Sequence, residues 1–165
     1  MKKTEDVLGK NRSARPLGIY VHYPFCTERC FYCDFLTFPH AEMLQAPYIS
    51  ALKKEIAYLG QGETKQTSPL LQDIPYSVDS VYFGGGTPSL LPTEEFLAVL
   101  GTLRANYSFA NDVEITLEVN PGTLTEEGIR RLLSIGVNRF SLGVQTMSDS
   151  LLARLGRTHT AEDVK

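Results

Sequence analysis

The sequence has no long hydrophobic run, few cysteines and no surplus of positive charge, and each shortage excludes a class of protein. No stretch of about 18 apolar residues occurs, and no apolar signal core follows the charged first residues, so we expect neither a membrane span nor secretion. Sixteen Lys and Arg residues against nineteen Asp and Glu give a net charge of −3, which offers a nucleic acid backbone no basic field. With 165 residues, 42% of them hydrophobic, the chain can form one domain with a core. These features predict a cytoplasmic protein that does not bind nucleic acid.

Strand and helix patterns alternate along the chain and predict an α/β fold. Residues 1–16 are polar and without periodicity, so we expect a flexible N-terminal segment there and a single domain over 17–165. Short apolar runs predict strands at 17–23, 78–83, 113–119 and 140–144. Apolar positions at three- and four-residue steps predict helices at 46–59, 93–103 and 125–135. This order is typical of βαβ units with a parallel sheet.

The end of the sequence predicts an open architecture. A new helix start is predicted at Thr160, about one turn before Lys165, where an isolated helix is marginal. Four βα units make half of an eight-stranded barrel, and the fourth strand would have an unpaired edge. We therefore expect a partial (β/α) barrel that continues beyond residue 165. The polar segment 61–77, which contains two prolines, is predicted to be a long connector.

Three cysteines, Cys26, Cys30 and Cys33, lie within eight residues directly after the first predicted strand. Reduced thiols favour ligand chemistry, and thiolates select iron-sulfur clusters, zinc or Cu(I). The spacing allows the three sulfurs to converge on one point. A structural zinc site needs a fourth ligand, and the nearby candidates, His22 and His40, are not at a familiar zinc spacing. Three thiolates on a cubane leave one iron open for a substrate or cofactor. The residues favour a cluster, and a zinc site or simply buried cysteines are the alternatives.

Aromatic residues flank the cysteines. We expect Phe25, Phe31, Tyr32 and Phe35 to exclude water from the site and so tune its chemistry. His22 lies within an apolar strand, which favours a supporting histidine with satisfied ring nitrogens over a ligand.

Polar or glycine-rich residues stand at the ends of the later predicted strands. Three glycines at 84–86, followed by Thr87, exceed the needs of a tight turn and would let backbone groups approach a ligand closely, although a plain turn is an alternative. The run lacks the Lys-Ser/Thr ending of a P-loop. Glu118 and Gln145 each end an apolar strand, where barrel enzymes place their working groups. A strand-end carboxylate that simply meets solvent is the alternative.

Three stretches of the sequence resemble the radical S-adenosylmethionine (SAM) superfamily. They are Cys26-x3-Cys30-x2-Cys33, Gly84-Gly85-Gly86-Thr87-Pro88 and, at 20–26, Tyr-Val-His-Tyr-Pro-Phe-Cys. The last stretch narrows the resemblance to the group that contains oxygen-independent coproporphyrinogen III oxidases and HemW-like heme chaperones. It implies a [4Fe-4S] cluster on the three cysteines, with SAM bound at the open iron and cleaved by electron transfer.

The resemblance also implies which side chains contact SAM. The matching positions are Tyr20, Tyr32, Gly85, Gly86, Thr87, Glu118, Gln145 and Arg157. By this resemblance Tyr32 would lie against the adenine, Glu118 would bind ribose hydroxyls and Arg157 would bind the cofactor's carboxylate. Some relatives hold a second SAM through such positions, and the sequence leaves the number open.

One departure from the family pattern favours a chaperone over an oxidase. The coproporphyrinogen-oxidising enzymes carry a further cysteine two residues after the third cluster cysteine, where this chain has Phe35. The resemblance therefore implies a heme chaperone with heme as its cargo. It also implies a recipient hemoprotein and a flavodoxin- or ferredoxin-type reductant as partners, with membrane contact only through the recipient. A coproporphyrinogen III oxidase and a zinc-stabilised α/β binding module are the alternatives.

Overall fold

The computed structural model describes residues 14–60 and 76–165, in which strands and helices alternate. The strands are β1 Arg15–Tyr23, β2 Phe25–Cys26, β3 Phe38–Pro39, β4 Tyr76–Gly85, β5 Phe109–Val119 and β6 Arg139–Leu142. The helices are α1 Gln45–Gly60, α2 Thr93–Asn106, α3 Glu126–Ser134 and α4 Asp149–Arg154, with 3-10 turns at Glu42–Leu44, Pro88–Leu90 and Glu162–Val164. Most of the predicted flexible segment and of the predicted connector lies outside the described residues.

Four strands form one parallel sheet in the order β1-β4-β5-β6. Tyr82 of β4 pairs with Tyr20 of β1 on one side and with Thr116 of β5 on the other. Glu118 of β5 pairs with Ser141 of β6. Because all four strands are parallel, their carboxyl ends meet at one edge of the sheet. The predicted α/β class with a partial barrel of βα units is confirmed.

The core lies between the sheet and the longer helices. Val81, Phe83 and Ile115 on the sheet are fully buried in one cluster with residues of α1, α2 and α3. The rings of Phe83 and Phe96 lie 4.3 Å apart between centroids. Burying an aromatic side chain of this size contributes roughly 1.5–3 kcal/mol. This apolar face fixes the strand registers, so the opposite face is left for polar and aromatic side chains.

Every predicted strand and helix overlaps an observed one, with shifted bounds. Helix α3 ends at Ser134 rather than Ile135, and β6 ends at Leu142 rather than Val144. The first strand begins at Arg15, within the segment predicted to be flexible, and β5 begins at Phe109 rather than at Val113. The predicted helix start at Thr160 is a single 3-10 turn, Glu162–Val164. In residues 14–60 and 76–165, no helix is both long and apolar enough to cross a membrane.

Candidate functional site

The three cysteines lie on a loop that is closed at its base. Strands β2 and β3 pair in parallel, and the Phe38 N–H donates to the Pro24 carbonyl at 2.7 Å. We call residues 26–37 the cysteine loop. Inside it, the Cys33 N–H donates to the Cys30 carbonyl at 3.1 Å, and the Arg29 side chain donates to the Cys33 carbonyl at 3.0 Å. All three thiols are free and partly buried. Local hydrogen bonds therefore shape the loop without a disulfide.

The glycine segment, residues 84–88, lies at the end of β4. It runs beside residues 23–25, which lead into the first cysteine. The Gly86 N–H donates to the Tyr23 carbonyl at 2.8 Å, and the Thr87 N–H donates to the Phe25 carbonyl at 2.9 Å. A Cβ on Gly86 would lie 2.8 Å from the Cys26 sulfur, which is too close. The glycines thus give the cysteine loop room to pack on the sheet. This is a role inside the protein, in addition to the predicted approach to a ligand.

Thr87 and Asn120 contact the cysteine loop from the sheet edge. The Thr87 hydroxyl is buried, donates to the Cys26 sulfur at 3.5 Å and accepts from the Asn120 side-chain amide at 3.2 Å. Burial raises the pKa of the Cys26 thiol, the Thr87 hydrogen bond lowers it, and the charges of Cys33 and Cys30 raise it. The sequence analysis did not single out Asn120 as a site residue. Its signal was its place two residues after Glu118.

The carboxylate of Glu118 has a fixed orientation. The Tyr82 hydroxyl donates to Glu118 Oε1 at 2.7 Å, and the Gly85 N–H donates to Oε2 at 3.1 Å. Burial and the hydrogen bond to Glu118 raise the pKa of Tyr82, so its hydroxyl remains a donor at neutral pH. The Tyr20 ring stacks on the Tyr82 ring, and the Tyr20 hydroxyl shares a 3.0 Å hydrogen bond with His22 Nδ1.

Arg157 and Gln145 follow the last strand and reach the same edge. Arg157 Nη2 donates to Asn120 Oδ1 at 2.7 Å and to the Gly143 carbonyl at 2.8 Å, while Nη1 donates to the Cys30 sulfur at 3.4 Å. Gln145 has a φ of 63°, in the left-handed region that non-glycine residues rarely adopt. Such backbone strain is concentrated at functional sites.

These side chains line one cavity of about 300 Å³ at the carboxyl edge of the sheet. Its walls include all three cysteines and every predicted SAM residue except Tyr20, namely Tyr32, Gly85, Gly86, Thr87, Glu118, Gln145 and Arg157. Tyr20 lies on β1, in contact with Tyr82 rather than on the cavity wall, and its side chain is 56% exposed. The structure thus brings together residues from four distant parts of the sequence.

The donors around this cavity fit a cluster with a polar ligand beside it. In the residues that the structure describes, no three His, Cys, Asp or Glu side chains surround one point closely enough to hold a single metal ion. The expected convergence on one point is therefore not seen, but cubane thiolates each bind a different iron and need only share a volume. The Thr37 hydroxyl, on the cavity wall, and Arg157 Nε are buried without a hydrogen-bond partner in the described residues, which leaves them free for a ligand.

The two histidines considered for zinc have other neighbours. Both ring nitrogens of His22 are hydrogen-bonded, Nδ1 with the Tyr20 hydroxyl and Nε2 with the Leu36 carbonyl at 3.0 Å. This confirms the prediction that both ring nitrogens of His22 are satisfied. The exposed His40 lies 3.5 Å from the Glu28 carboxylate.

The aromatic side chains around the cysteines differ from the prediction. Phe25 is buried, as expected. The expectation that Phe31, Tyr32 and Phe35 exclude water is wrong in the described structure, because they are 81%, 46% and 67% exposed. All three lie on the cysteine loop, which extends away from the core.

The chain is similar to known proteins over most of its length. The family model of the radical SAM superfamily matches residues 20–165. The heme chaperone HemW of a Synechocystis strain is 39% identical over 155 residues, which cover 90% of this chain and 35% of the relative. HemW of Escherichia coli is 36% identical and is matched over 91% of this chain and 37% of its own length. The chain therefore spans little more than a third of these relatives.

A solved structure shows the same fold. The structure of coproporphyrinogen III oxidase (HemN) from Escherichia coli, described as a radical SAM enzyme, superposes with a TM-score of 0.78 at 29% identity. The match covers 92% of this chain and 33% of that chain. The described sheet and helices therefore correspond to one part of a larger radical SAM architecture.

Proposed function

This chain belongs to the radical SAM superfamily, and from that membership we propose that it forms the cluster- and SAM-binding part of a HemW-like heme chaperone. One observation carries the proposal. The three free cysteines, the glycine segment and the strand-end residues Glu118, Gln145 and Arg157 line a single cavity at the carboxyl edge of a parallel sheet.

Cys26, Cys30 and Cys33 would hold a [4Fe-4S] cluster, as radical SAM membership implies. When reduced, such a cluster supplies one electron to the sulfonium of SAM. The protein's own part is to hold the cysteine loop in place, and a reducing compartment such as the cytoplasm would keep the thiols available as ligands. Pairing of β2 with β3 and the Thr87 hydrogen bond to Cys26 support that placement.

SAM would lie between the cysteine loop and the ends of β4, β5 and β6. Glu118, held by Tyr82 and Gly85, has lone pairs left to accept hydrogen bonds from ribose hydroxyls. Arg157 Nε, buried without a partner in the described residues, can donate to a carboxylate. Tyr32, Gly86, Thr87 and Gln145 would complete the contacts, and Tyr20 would act from the neighbouring strand.

Heme delivery is favoured over porphyrinogen oxidation by two observations. The relatives at 36% identity or more described above are named heme chaperones. Phe35 also stands where coproporphyrinogen oxidases carry a further cysteine. Heme would be the cargo, a hemoprotein the recipient, and a flavodoxin- or ferredoxin-type protein the reductant. Oxidation of coproporphyrinogen III is the second candidate, because the HemN structure shares the fold.

Anaerobic reconstitution tests the cluster. We expect about four irons per chain and a broad brown absorption in the wild type. Cys30→Ala should lose the iron while the far-UV circular dichroism remains unchanged, because the cysteine loop lies outside the main sheet. Iron at the wild-type level in Cys30→Ala, or stoichiometric zinc without iron in the wild type, would contradict the assignment.

Two assays separate the chaperone from the oxidase. Titration of the protein with heme, followed by the Soret band, should show saturable binding. Incubation with coproporphyrinogen III, SAM and a reductant should leave the porphyrinogen unchanged. Conversion of the porphyrinogen would favour the second candidate.

A further inference from the structure

Arg157 contacts a predicted cluster ligand directly. Its Nη1 donates to the Cys30 sulfur at 3.4 Å, which is hydrogen-bond distance for sulfur. Its Nη2 donates to Asn120 Oδ1 and to the Gly143 carbonyl at 2.7 and 2.8 Å. The guanidinium is therefore fixed by the ends of β5 and β6, and one of its edges faces the cysteine loop.

The segment that carries Arg157 is itself joined to the cysteine loop. The Phe31 N–H donates to the Leu155 carbonyl at 3.1 Å. A Cβ on Gly156, which has a φ of 72°, would lie 3.2 Å from the Phe31 ring, so the ring packs against the Gly156 backbone. The backbone bond at Phe31 and the side-chain bond at Cys30 hold adjacent loop residues to one short stretch of chain. The position of Arg157 relative to Cys30 is thus set by the fold.

The other charged groups on the cavity wall are directed elsewhere. Arg29 donates to the backbone carbonyl of Cys33 rather than to a sulfur. Glu28 lies beside His40 at 3.5 Å, and Glu118 accepts from Tyr82 and Gly85. Among the charged residues of the described cavity wall, Arg157 is the one with a hydrogen bond to a cysteine sulfur.

We propose that Arg157 is a positioning residue that sets the reduction potential of the cluster through its hydrogen bond to Cys30, separately from any contact with SAM. The inference rests on the proposed function, since it requires a cluster on the cysteines. One-electron reduction adds a negative charge to the cluster, and hydrogen bonds to the sulfurs together with nearby charge set its potential. A cation held at the sulfur stabilises the reduced state. Arg157 therefore raises the potential and eases electron transfer from a weak one-electron donor.

A redox titration without SAM tests this role. Reconstituted protein is titrated with dithionite, and the reduced cluster is followed by electron paramagnetic resonance. We expect the midpoint potential of Arg157→Met to be more negative than that of the wild type. Arg157→Lys, which keeps the charge, should lie between them. The exposed Arg154, three residues earlier, supplies the matched control, and Arg154→Met should keep the wild-type potential.

Each outcome separates the inference from the proposed function. If the wild type takes up no iron, the proposed function fails and the inference fails with it. If Arg157→Met binds the full iron complement at an unchanged potential, the inference alone is wrong, even where its SAM affinity falls. If Arg157→Met loses iron, the midpoint potentials of Arg157→Lys and Arg157→Gln are measured instead. A lower potential in Arg157→Gln than in Arg157→Lys supports the role. Potentials equal to that of the wild type in both variants overturn it.

Discussion

At the scale of single residues, Glu118 is held by two donors of the chain itself, the Tyr82 hydroxyl and the Gly85 N–H. Replacing Glu118 with Ala removes a charged acceptor on the cavity wall. We expect SAM binding to weaken by about 1.5–3 kcal/mol, the usual cost of a lost hydrogen bond to a charged group. Isothermal titration calorimetry on the reconstituted protein measures this. Glu114→Ala is the matched control, because Glu114 lies four residues earlier on the same face of β5 and pairs with Arg139 at 3.1 Å outside the cavity. Equal losses in the two variants would remove Glu118 from the site.

Tyr82 supplies one of the two donors to Glu118. Tyr82→Phe removes the hydroxyl at 2.7 Å but keeps the ring that stacks on Tyr20. Glu118 would then be held by the Gly85 N–H alone. We expect a loss of about 0.5–1.5 kcal/mol in SAM affinity, smaller than for Glu118→Ala, with unchanged iron content. When Tyr82→Phe is added to Glu118→Ala, we expect no further change in SAM affinity. If the double variant loses as much additional SAM affinity as Tyr82→Phe alone, Tyr82 acts independently of Glu118.

The buried hydroxyl of Tyr23 should make the free energy of unfolding depend on pH in the alkaline range. Burial and the charge of Cys26 raise the pKa of Tyr23 from 10.0 to about 12, and its buried hydroxyl has no partner in the described residues. The unfolded chain then loses this proton at a lower pH than the folded chain. The stabilisation of the folded state by the protonated Tyr23 hydroxyl is complete below pH 10. It is lost as the pH rises from the pKa of the unfolded chain to that of the folded chain, at about 1.4 kcal/mol per pH unit.

Tyr23→Phe should therefore lose less stability than the wild type as the pH rises through this window. Near neutral pH we expect the variant to be equal to or slightly more stable than the wild type, because it removes an unsatisfied buried hydroxyl. Urea unfolding of the apoprotein at a series of pH values measures both effects. Parallel stability curves for the two proteins would show that Tyr23 is not protected from ionisation.

The residues that the sequence predicted well are those whose chemistry is unusual in their setting. Closely spaced thiols and the strand-end Glu118 stand out from an apolar background, and they do line the cavity. Asn120 was missed because an asparagine before a proline is also an ordinary turn residue. The exposure of Phe31 and Phe35 could not be predicted either. Whether an aromatic side chain is buried depends on which surface its loop faces, and that follows from tertiary contacts.

At the scale of elements, the glycine segment and α2 respond differently to the same substitution. Gly86→Ala places a methyl group 2.8 Å from the Cys26 sulfur and 2.7 Å from the Phe25 carbonyl, so the cysteine loop must shift. We expect lower iron content and a lower thermal midpoint. Gly101 lies in α2 with nothing within 4 Å of its Cβ position. Gly101→Ala should raise the free energy of unfolding by about 0.5–1 kcal/mol and leave iron content unchanged. Wild-type iron content and stability in Gly86→Ala would contradict the packing role.

Strands and helices were predictable where periodicity extends over several turns or repeats. The apolar runs of β1 and β5 stand out in the sequence, as does the apolar face of α1. Elements of only a few residues are too short to show a hydrophobic periodicity from which they could be predicted. Strands β2 and β3 are two residues each, and their pairing is set by the closed loop between them rather than by propensity. Helix α4, with six residues, was missed for the same reason.

At the scale of the whole molecule, the parallel sheet brings together groups that are far apart in sequence. The cavity wall takes residues from the cysteine loop, the glycine segment, the end of β5 and the stretch after β6. Thr87, Asn120 and Arg157 connect these parts by hydrogen bonds, so a change at one part is transmitted to the others. Ligand binding in the cavity should therefore stabilise all four parts together.

Hydrogen–deuterium exchange with and without SAM tests this coupling. Amides that open locally at the cavity edge, such as the N–H of Gly86 bonded to Tyr23, should exchange about 100-fold more slowly when SAM is at 100 times its dissociation constant. Peptides covering residues 26–33, 84–88, 118–120 and 143–157 should all gain protection. The last turn of α1, which contributes no residue to the cavity wall, should keep its rate. Protection confined to one of the four peptides would show that SAM contacts a single loop and that the sheet edge does not act as one site.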